Sequence, residues 1–245
     1  MSKEQIVLKL QDLSIAYGSE PAVCDVTLDV KAGEFFGLIG VNGAGKTTMI
    51  KAILGLRGAD SGKIEILGQD IAQSTTSKAV AFLPERFEPS WFLSGMEFLH
   101  FSTKLYGRRF SDNDFKQYAE RLALDPDALK RRVQTFSKGM RQKLGLLATV
   151  MTKAEILILD EPMSGLDPVA RARVKDLLLD VKKEGRTIFL SSHILADMDE
   201  ICDRIALLHN KRICYTGAPK GLKEQTGTKN LERAFLQFVE KKAVA

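Results

Sequence analysis

The segment 40–47, with the sequence GVNGAGKT, has residue types and a spacing suited to binding phosphate. Its glycines let the backbone curl so that successive N–H groups point inward, and a helix beginning near Lys46 adds positive potential at its N-terminus. The Lys46 ammonium would reach the outer phosphates of a polyphosphate, and the Thr47 hydroxyl would bind Mg²⁺. The candidate phosphate-binding residues are Gly40, Asn42, Gly43, Ala44, Gly45, Lys46, Thr47 and Thr48.

Two acids, Asp160 and Glu161, directly follow the apolar run 156–159, ILIL. Such a run is typical of a parallel strand that is buried on both faces, and ligands bind at the carboxyl ends of such strands. We expect Asp160 to hold Mg²⁺ through its water shell and Glu161 to orient the water that attacks a γ-phosphate. Acid pairs of this kind also cap helices, so the prediction rests on their combination with the glycine-rich segment.

A histidine is predicted at the same edge of the sheet. The apolar strand 187–190 runs into Ser191, Ser192 and His193. A single histidine is more often structural, but we favour a catalytic role for His193 because three motifs then meet at one sheet edge. His100 and His209 have no comparable setting, and we expect them to be structural.

Alternating and helical patterns predict the scaffold that holds these residues. The first thirty residues alternate as in an antiparallel hairpin with a turn at Tyr17-Gly18-Ser19. The rest alternates between strands and helices, which predicts an α/β fold with a mainly parallel sheet, and residues 85–134 read as a helical insertion. The predicted strands are 35–39, 61–70, 79–83, 156–159, 187–190 and 204–208; the predicted helices are 47–54, 140–151, 169–184 and 194–202, with an amphipathic tail (Leu231, Phe235, Phe238) over 226–245.

Composition limits the class of protein. The 245 residues are 44% hydrophobic and 27% charged, which is ordinary for a globular protein, and no apolar run approaches the 18 residues of a spanning helix. The N-terminal residues 1–5 lack a signal-peptide pattern, and Cys24, Cys202 and Cys214 have no metal-like spacing. We therefore expect a reduced, cytoplasmic protein. The net charge of +5 falls in short clusters interleaved with acids, which favours a solvated surface over a nucleic-acid partner.

Taken in order, these motifs resemble those of the ABC-type ATPase family, the ATP-hydrolysing subunits of ABC transporters, over nearly the whole chain. Residues 40–47 resemble the family's Walker A loop, and residues 156–160 resemble its Walker B strand. Glu161 is similar in position to the catalytic glutamate, and His193 to the switch histidine. The resemblance implies that the ligands are ATP and Mg²⁺ and that Lys46, Glu161 and His193 are catalytic.

Residues 136–142, FSKGMRQ, are similar to the family's signature motif LSGGQ with its RQ continuation. Lys138 and Met140 stand where the commonest pattern has glycine and glutamine. Ser137 and Gly139 remain, and they would offer a hydroxyl and a backbone N–H to the γ-phosphate. Lys138 could add favourable charge there.

Three further positions follow from the resemblance. Residues 164–167, SGLD, are similar to the D-loop, and Tyr17 lies where the family has its adenine-stacking aromatic. A turn aromatic that packs locally is the alternative for Tyr17. Glu85 replaces the family's usual glutamine; as a carboxylate it can bind Mg²⁺, but it adds negative charge near the γ-phosphate and could instead sense a partner.

The resemblance also implies a domain organisation and partners. It predicts an ABC ATPase domain over 1–225, made of a P-loop NTPase core (1–84 and 137–225) and a helical insertion (85–136), followed by a tail helix over 226–245. In the family the signature of one subunit completes the site of another. We therefore expect a homodimer or a pair with another ATPase subunit, in which Ser137 and Gly139 of one chain face the ATP held by the other.

The partner driven by hydrolysis is predicted to be a set of separate membrane permease subunits. The FSKGMRQ and Leu-Pro-Glu segments resemble the exporter-like, ABC-2 type branch of the family, and the chain would lie at the cytoplasmic face of the membrane. Trp91, Phe92 and Leu93 form the expected docking surface, with simple packing inside the insertion as the alternative. The alternative function is that of a soluble ABC-type ATPase acting on ribosomes or nucleic acid, which the positive net charge of the chain still supports. A nucleotide-regulated scaffold is disfavoured because the catalytic residues are all present.

Overall fold

The computed structural model of the chain describes residues 4–72 and 78–243. The chain divides into two compact units, which we call unit 1 (residues 1–76 and 187–245) and unit 2 (residues 77–186). The signal-peptide prediction rests partly on residues 1–3, and the predicted tail helix includes residues 244–245. Both sets of residues lie outside the described part of the chain.

The helices and strands follow one another in the order expected of an α/β chain. Unit 1 begins with β1 (Ile6–Tyr17), β2 (Glu20–Lys31), β3 (Phe35–Ile39), α1 (Lys46–Ile53), β4 (Ser61–Ile66) and β5 (Gln69–Asp70). Unit 2 contains β6 (Val80–Leu83), α2 (Gly95–Leu105), α3 (Asp112–Arg121), two 3₁₀ turns (Pro126–Lys130 and Val133–Thr135), α4 (Lys138–Met151), β7 (Ile156–Asp160) and α5 (Pro168–Lys183). Unit 1 resumes with β8 (Thr187–Ser192), α6 (Leu195–Ile201), β9 (Arg204–His209), β10 (Arg212–Gly217), α7 (Pro219–Thr226) and α8 (Leu231–Ala243).

The predicted N-terminal hairpin is confirmed as part of an antiparallel sheet with the strand order β2-β1-β4-β5. Strands β1 and β2 pair up to Tyr17 and Glu20, which leaves Gly18 and Ser19 as the turn. Gly18 has a φ of 62° there, in the left-handed region that glycine adopts without steric cost. This turn places Tyr17 at the very end of its strand.

The second sheet of unit 1 is parallel around β3, as predicted. Its strand order is β10-β9-β3-β8, and β3 pairs in parallel with both of its neighbours. All five residues of β3 are buried, as its unbroken apolar sequence predicts. Strand β8 is two residues longer than predicted, because Ser191 and Ser192 continue its pairing with β3. Both serines are buried despite their polarity, so the apolar pattern underestimates the length of this strand.

The single strand predicted over 61–70 is two antiparallel strands, β4 and β5, because the chain turns between Ile66 and Gln69. Two further elements of unit 1 were not predicted. Strand β10 pairs antiparallel with β9, and α7 follows it. The sequence of β10, RICYTG, has no buried residue, so it lacks the apolar pattern by which the other strands were recognised. Within the predicted tail, α8 buries Leu231, Ala234 and Phe235 and contacts α6 and α7. The apolar face of the tail is therefore packed inside unit 1.

Unit 2 contains the parallel pair β6 and β7, whose residues Leu83 and Leu159 are register partners. The segment between Pro84 and Gln134 has the predicted helical character from α2 onward, whereas residues 84–94 form a loop. Capping boxes start its two α-helices: Ser94 with Glu97 for α2, and Ser111 with Asp114 for α3. Among the described residues, no helix has both the length and the apolar character needed to cross a membrane.

The helix α4 begins at Lys138 rather than at the predicted residue 140, because the Ser137 side chain caps it by accepting the Met140 N–H at 3.2 Å. Farther along α4, Gly145 leaves room for the ring of Phe87. A Cβ at position 145 would lie 2.7 Å from the Phe87 ring and 2.8 Å from Leu83. Phe87 also makes an edge-to-face contact with Phe98 of α2, with ring centroids 5.6 Å apart. The loop after β6 is thereby held against two helices.

The end of α4 is closed by a buried guanidinium. Arg186 donates from Nε to the carbonyl of Ala154 at 2.7 Å and from one Nη to the carbonyl of Val150 at 2.9 Å, in the last turn of the helix. A cation at this position satisfies terminal carbonyl groups and complements the helix dipole.

Replacing Arg186 with methionine is expected to lower the free energy of unfolding by about 2–4 kcal/mol, because two buried carbonyls lose charged donors. Arg173→Met provides the control, since Arg173 is exposed on α5, and chemical denaturation of both variants measures the effect. Equal stabilities of the two variants would contradict this account of Arg186.

Candidate active site

The glycine-rich loop of unit 1 connects the buried end of β3 to the start of α1. It passes so close to neighbouring strands that side chains would not fit at two positions. A Cβ on Gly45 would lie 2.4 Å from the carbonyl oxygen of Ala22, and one on Gly40 would lie 2.8 Å from that of Leu208. Gly43 and Gly45 also have φ values of 79° and 110°. Backbone approach and dihedral angles together require glycine here.

The helix that follows the loop presents its N-terminus without a capping side chain. Gly45 occupies the N-cap position, where most helices carry a side chain that accepts hydrogen bonds from the first turn. The side chain of Lys46 is buried and donates to the carbonyl of Gly40 at 2.8 Å, across the mouth of the loop. Thr47 and Thr48, in the first turn of α1, are partly exposed. The loop thus combines a cation, hydroxyls and a helix N-terminus, which is the chemistry of an anion site.

The pairing of β3 with β8 brings His193 to the edge that carries this loop. Ile39 and Ser192 are register partners at the ends of two parallel strands, so Gly40 and His193 continue the chain side by side. The His193 side chain is exposed, whereas the two serines before it are buried. The next residue is also fixed, because the Ile194 N–H donates to the Ser192 hydroxyl at 3.0 Å. Unit 1 therefore supports the predicted juxtaposition of loop and histidine.

Tyr17 lies beside the same helix. Its hydroxyl is 3.4 Å from the hydroxyl of Thr48, and 50% of its surface is exposed. The alternative of an aromatic packed inside its own turn does not describe this ring. Arg57, which no sequence motif indicated, places its guanidinium carbon 3.8 Å from the ring centroid.

Unit 2 brings the predicted acidic residues to one edge of its strand pair. Asp160 is the last residue of β7, and both it and Glu161 are buried. Because Leu83 pairs with Leu159, Glu85 and Glu161 each lie two residues beyond paired positions at the carboxyl ends of β6 and β7. Glu161 has a φ of 50°, a conformation that costs energy outside glycine and is found preferentially at functional sites. Glu85, in contrast, is exposed.

The segment that resembles the signature motif lies at the start of α4. Ser137 is exposed, and Gly139 is partly buried, with room for a Cβ 3.6 Å from Leu166. One turn into the helix, the buried side chain of Gln142 donates to the carbonyl of Pro162 at 3.2 Å. Pro162 directly follows Glu161, so one hydrogen bond joins α4 to the residue after the predicted catalytic glutamate. The sequence singled out Gln142 only as part of a motif and gave it no role.

The segment that resembles the D-loop ends in a helix cap. The Asp167 carboxylate accepts the N–H groups of Ala170 at 2.9 Å and of Val169 at 3.0 Å, and thereby starts α5. The hydrogen bond from Ala170 holds the pKa of Asp167 below its usual value. Lys138 lies along the same loop, with its ammonium 3.5 Å from where a Cβ of Gly165 would be. Lys138 thus lies beside the D-loop-like segment within its own unit.

Over residues 4–72 and 78–243, no group of three or more histidine, cysteine, aspartate or glutamate side chains is arranged to hold a metal ion. The predicted metal-binding residues are Thr47 in unit 1 and Asp160 and Glu85 in unit 2. All three offer oxygen atoms, which is the donor type that Mg²⁺ takes.

Comparisons with known proteins identify the family of this chain. The family model described as ABC transporter matches residues 23–164, more than half of the chain. A Mycobacterium tuberculosis protein named fluoroquinolones export ATP-binding protein is 37% identical over 89% of this chain and 72% of its own length. An uncharacterised ABC transporter ATP-binding protein of Synechocystis is 39% identical over 79% of this chain, which spans only 55% of that relative.

The fold is shared with a solved structure described as the ATP-binding subunit of an ABC transporter. It matches with a TM-score of 0.87 and 32% sequence identity over 95% of this chain and 99% of the other. The predicted class, an α/β fold with a P-loop NTPase core, parallel strands and an antiparallel N-terminal sheet, is confirmed by this likeness. With the family match over residues 23–164, it shows that the chain belongs to the ABC transporter family.

Proposed function

We propose that this chain binds ATP and hydrolyses it to drive export through separate membrane permease subunits. The observation that carries the proposal is the loop 40–47, whose backbone approach excludes side chains at Gly40 and Gly45 and whose lysine is buried across its mouth. A nucleoside triphosphate is the ligand whose phosphates such a loop binds. The family and the export-related name of the M. tuberculosis relative favour transport over the ribosomal or nucleic-acid alternative.

In this proposal each part of the site has one task toward the nucleotide. The N–H groups of the loop and the Lys46 ammonium bind the β- and γ-phosphates, and the Tyr17 ring stacks on the adenine. Thr47 and Asp160 would hold Mg²⁺, with Glu85 as a further candidate. When bound, Mg²⁺ neutralises charge on the phosphate oxygens.

Hydrolysis requires a positioned water and a place for its proton. Glu161 orients a water molecule whose oxygen forms a bond to the γ-phosphorus while the bond to the β–γ bridging oxygen breaks. The products are ADP and inorganic phosphate, and the proton of the water passes to the Glu161 carboxylate. His193 donates a hydrogen bond to the γ-phosphate, where negative charge has to be stabilised.

The proposal includes a second ATPase subunit, either another copy of this chain or a related one. The exposed N-terminus of α4 supports it. The Ser137 oxygen already accepts the Met140 N–H, but the hydroxyl hydrogen remains available to donate to a γ-phosphate held by the partner. The N–H groups at the start of this 14-residue helix add positive potential toward the same anion.

The permease subunits would dock on the exposed aromatic pair of unit 2, Trp91 and Phe92. These side chains are 68% and 72% exposed, so they are not the core of the insertion; Leu93, the third predicted docking residue, is partly buried. A cavity of about 300 Å³ opens beside Trp91. It is lined by Glu88, Pro89, Trp91, Val133, Gln134 and Arg141. Trp and Arg are enriched at binding hot spots, and Trp91 and Arg141 both line this cavity. In this assembly the chain is peripheral, at the cytoplasmic face of the membrane.

Affinity purification of this chain from detergent-solubilised membranes tests the proposal. We expect a stoichiometric multi-span partner whose presence stimulates ATP hydrolysis, and we expect Trp91→Ala or Phe92→Ala to weaken its capture about tenfold or more. Leu56→Ala is the matched control, because Leu56 is equally exposed, at 68%, in unit 1. Recovery only with ribosomes or nucleic acid would contradict the transporter proposal, and unchanged capture by both aromatic variants would contradict the docking surface.

A further inference from the structure

Tyr17 is held by one residue in the first turn of α1 and by another in the loop that follows this helix. At its first turn, the Thr48 hydroxyl lies 3.4 Å from the Tyr17 hydroxyl. Beyond its last turn, the chain reverses at Gly55, whose φ is 69°, and the N–H groups of Leu56 and Arg57 donate to the carbonyl of Lys51 at 2.9 and 3.3 Å. This reversal sends the Arg57 side chain back toward the end of β1.

The Arg57 guanidinium is fixed over one face of the Tyr17 ring. It donates to the carbonyl of Ala16, the residue before Tyr17, and its carbon lies 3.8 Å from the ring centroid. The backbone of Ala16 is held as well, because its N–H donates to the Asp60 carboxylate at 2.6 Å. Asp60 in turn donates its own N–H to the carbonyl of Ser14 at 2.9 Å. The loop after α1 therefore fastens both the ring and the strand end that carries it.

We propose that Arg57 is a positioning residue for the nucleotide base, which it serves by stacking on the face of Tyr17 opposite to the purine. The inference rests on the proposed function, in which Tyr17 stacks on adenine. Half of the Tyr17 surface is exposed although one face is covered by the guanidinium, so the opposite face is open to a flat ligand. The result is a three-layer stack of guanidinium, phenol and purine.

Pre-organisation is the physical reason for the expected effect. A free tyrosine at a strand end has to give up side-chain freedom when a base binds, and this loss weakens binding. In this chain the cation–π contact and the hydroxyl contact hold the ring before the base arrives. Arg57 thus adds to affinity for the base without touching it, and it adds nothing to affinity for the phosphates.

The test compares two ligands that differ in the base. Binding of ATP and of inorganic tripolyphosphate, both with Mg²⁺, is measured by calorimetry for the wild type, Arg57→Ala, Arg57→Lys, Tyr17→Ala and the double variant. We expect Arg57→Ala to weaken ATP binding about three- to tenfold and Tyr17→Ala about ten- to hundredfold, with tripolyphosphate binding unchanged in both. In the Tyr17→Ala background, Arg57→Ala should have little further effect. Arg57→Lys, which keeps a cation, should lie between Arg57→Ala and the wild type.

Three results would overturn the inference while leaving the proposed function in place. One is ATP binding by Arg57→Ala equal to that of the wild type. Another is an equal loss for ATP and tripolyphosphate, which would mean that Arg57 acts on the phosphate loop or on folding. The third is a gain in ATP affinity, which would mean that the guanidinium competes with the base. A wild-type chain that bound neither ligand would instead overturn the proposed function, and this inference with it.

Discussion

Glu161→Gln is expected to lower kcat for ATP hydrolysis about 10²- to 10⁴-fold, the usual contribution of a general base. The amide keeps the size of the side chain but does not accept a proton from the attacking water. ATP affinity should stay within about twofold, because Glu161 acts on the water and the phosphates are bound by the loop 40–47. Steady-state phosphate release and equilibrium ATP binding measure the two quantities.

The matched control for this change is Glu155→Gln. Glu155 is exposed immediately before β7, at the opposite end of the strand that leads to Glu161. Glu155→Gln should leave kcat for ATP hydrolysis unchanged.

In the proposed dimer, Glu161→Gln should also accumulate a two-chain complex with ATP, visible by size-exclusion chromatography with light scattering. Normal turnover in Glu161→Gln would refute its assignment as the base.

Gly45→Ala is expected to abolish high-affinity ATP binding and to lower the free energy of unfolding by about 2–5 kcal/mol. The added Cβ would lie 2.4 Å from the backbone oxygen of Ala22, which belongs to β2 and is not free to rotate away as a side chain would be. The φ of 110° at Gly45 is a further cost for any residue with a Cβ. Either the loop moves, and the phosphate site is lost, or β2 moves.

Gly58→Ala separates this effect from a general cost of replacing glycine. Gly58 has no contact within 4 Å of where its Cβ would lie, so its replacement should be close to neutral. Chemical denaturation and ATP titration of the two variants are compared directly. A Gly45→Ala chain as stable and as tight in binding as Gly58→Ala would show that the loop is not confined as described.

Much of the site could be predicted from the sequence because its parts are local. The loop 40–47 depends on glycines at fixed spacing, and Asp160 follows a strand that is apolar throughout. Residues that follow parallel strands can also be placed without knowledge of side-chain packing, because the carboxyl ends of such strands meet at one edge of the sheet. Ile39 and Ser192 are register partners, so His193 follows its strand at the sheet edge where it was expected.

The remainder depends on contacts between distant parts of the chain. Arg57 is one of many basic residues in the sequence, and only the reversal of the chain at Gly55 brings it over Tyr17. Strand β10 is recruited by pairing with β9 and not by its own apolar pattern. The start of α4 differed from the prediction because a cap, Ser137, decides it rather than the first apolar residue of the helix. Helix caps, and stacking between residues far apart in the same chain, leave only weak periodic signals in the sequence.

The close fit of Phe87 against Gly145 has an evolutionary consequence. Any side chain at position 145 would crowd Leu83 and take the space of the Phe87 ring, which also contacts Phe98. The two positions are therefore complementary in volume, and neither is free to change size alone. Across descendants of this sequence, they should covary: a larger residue in the helix should appear together with a smaller one in the loop that carries Glu85.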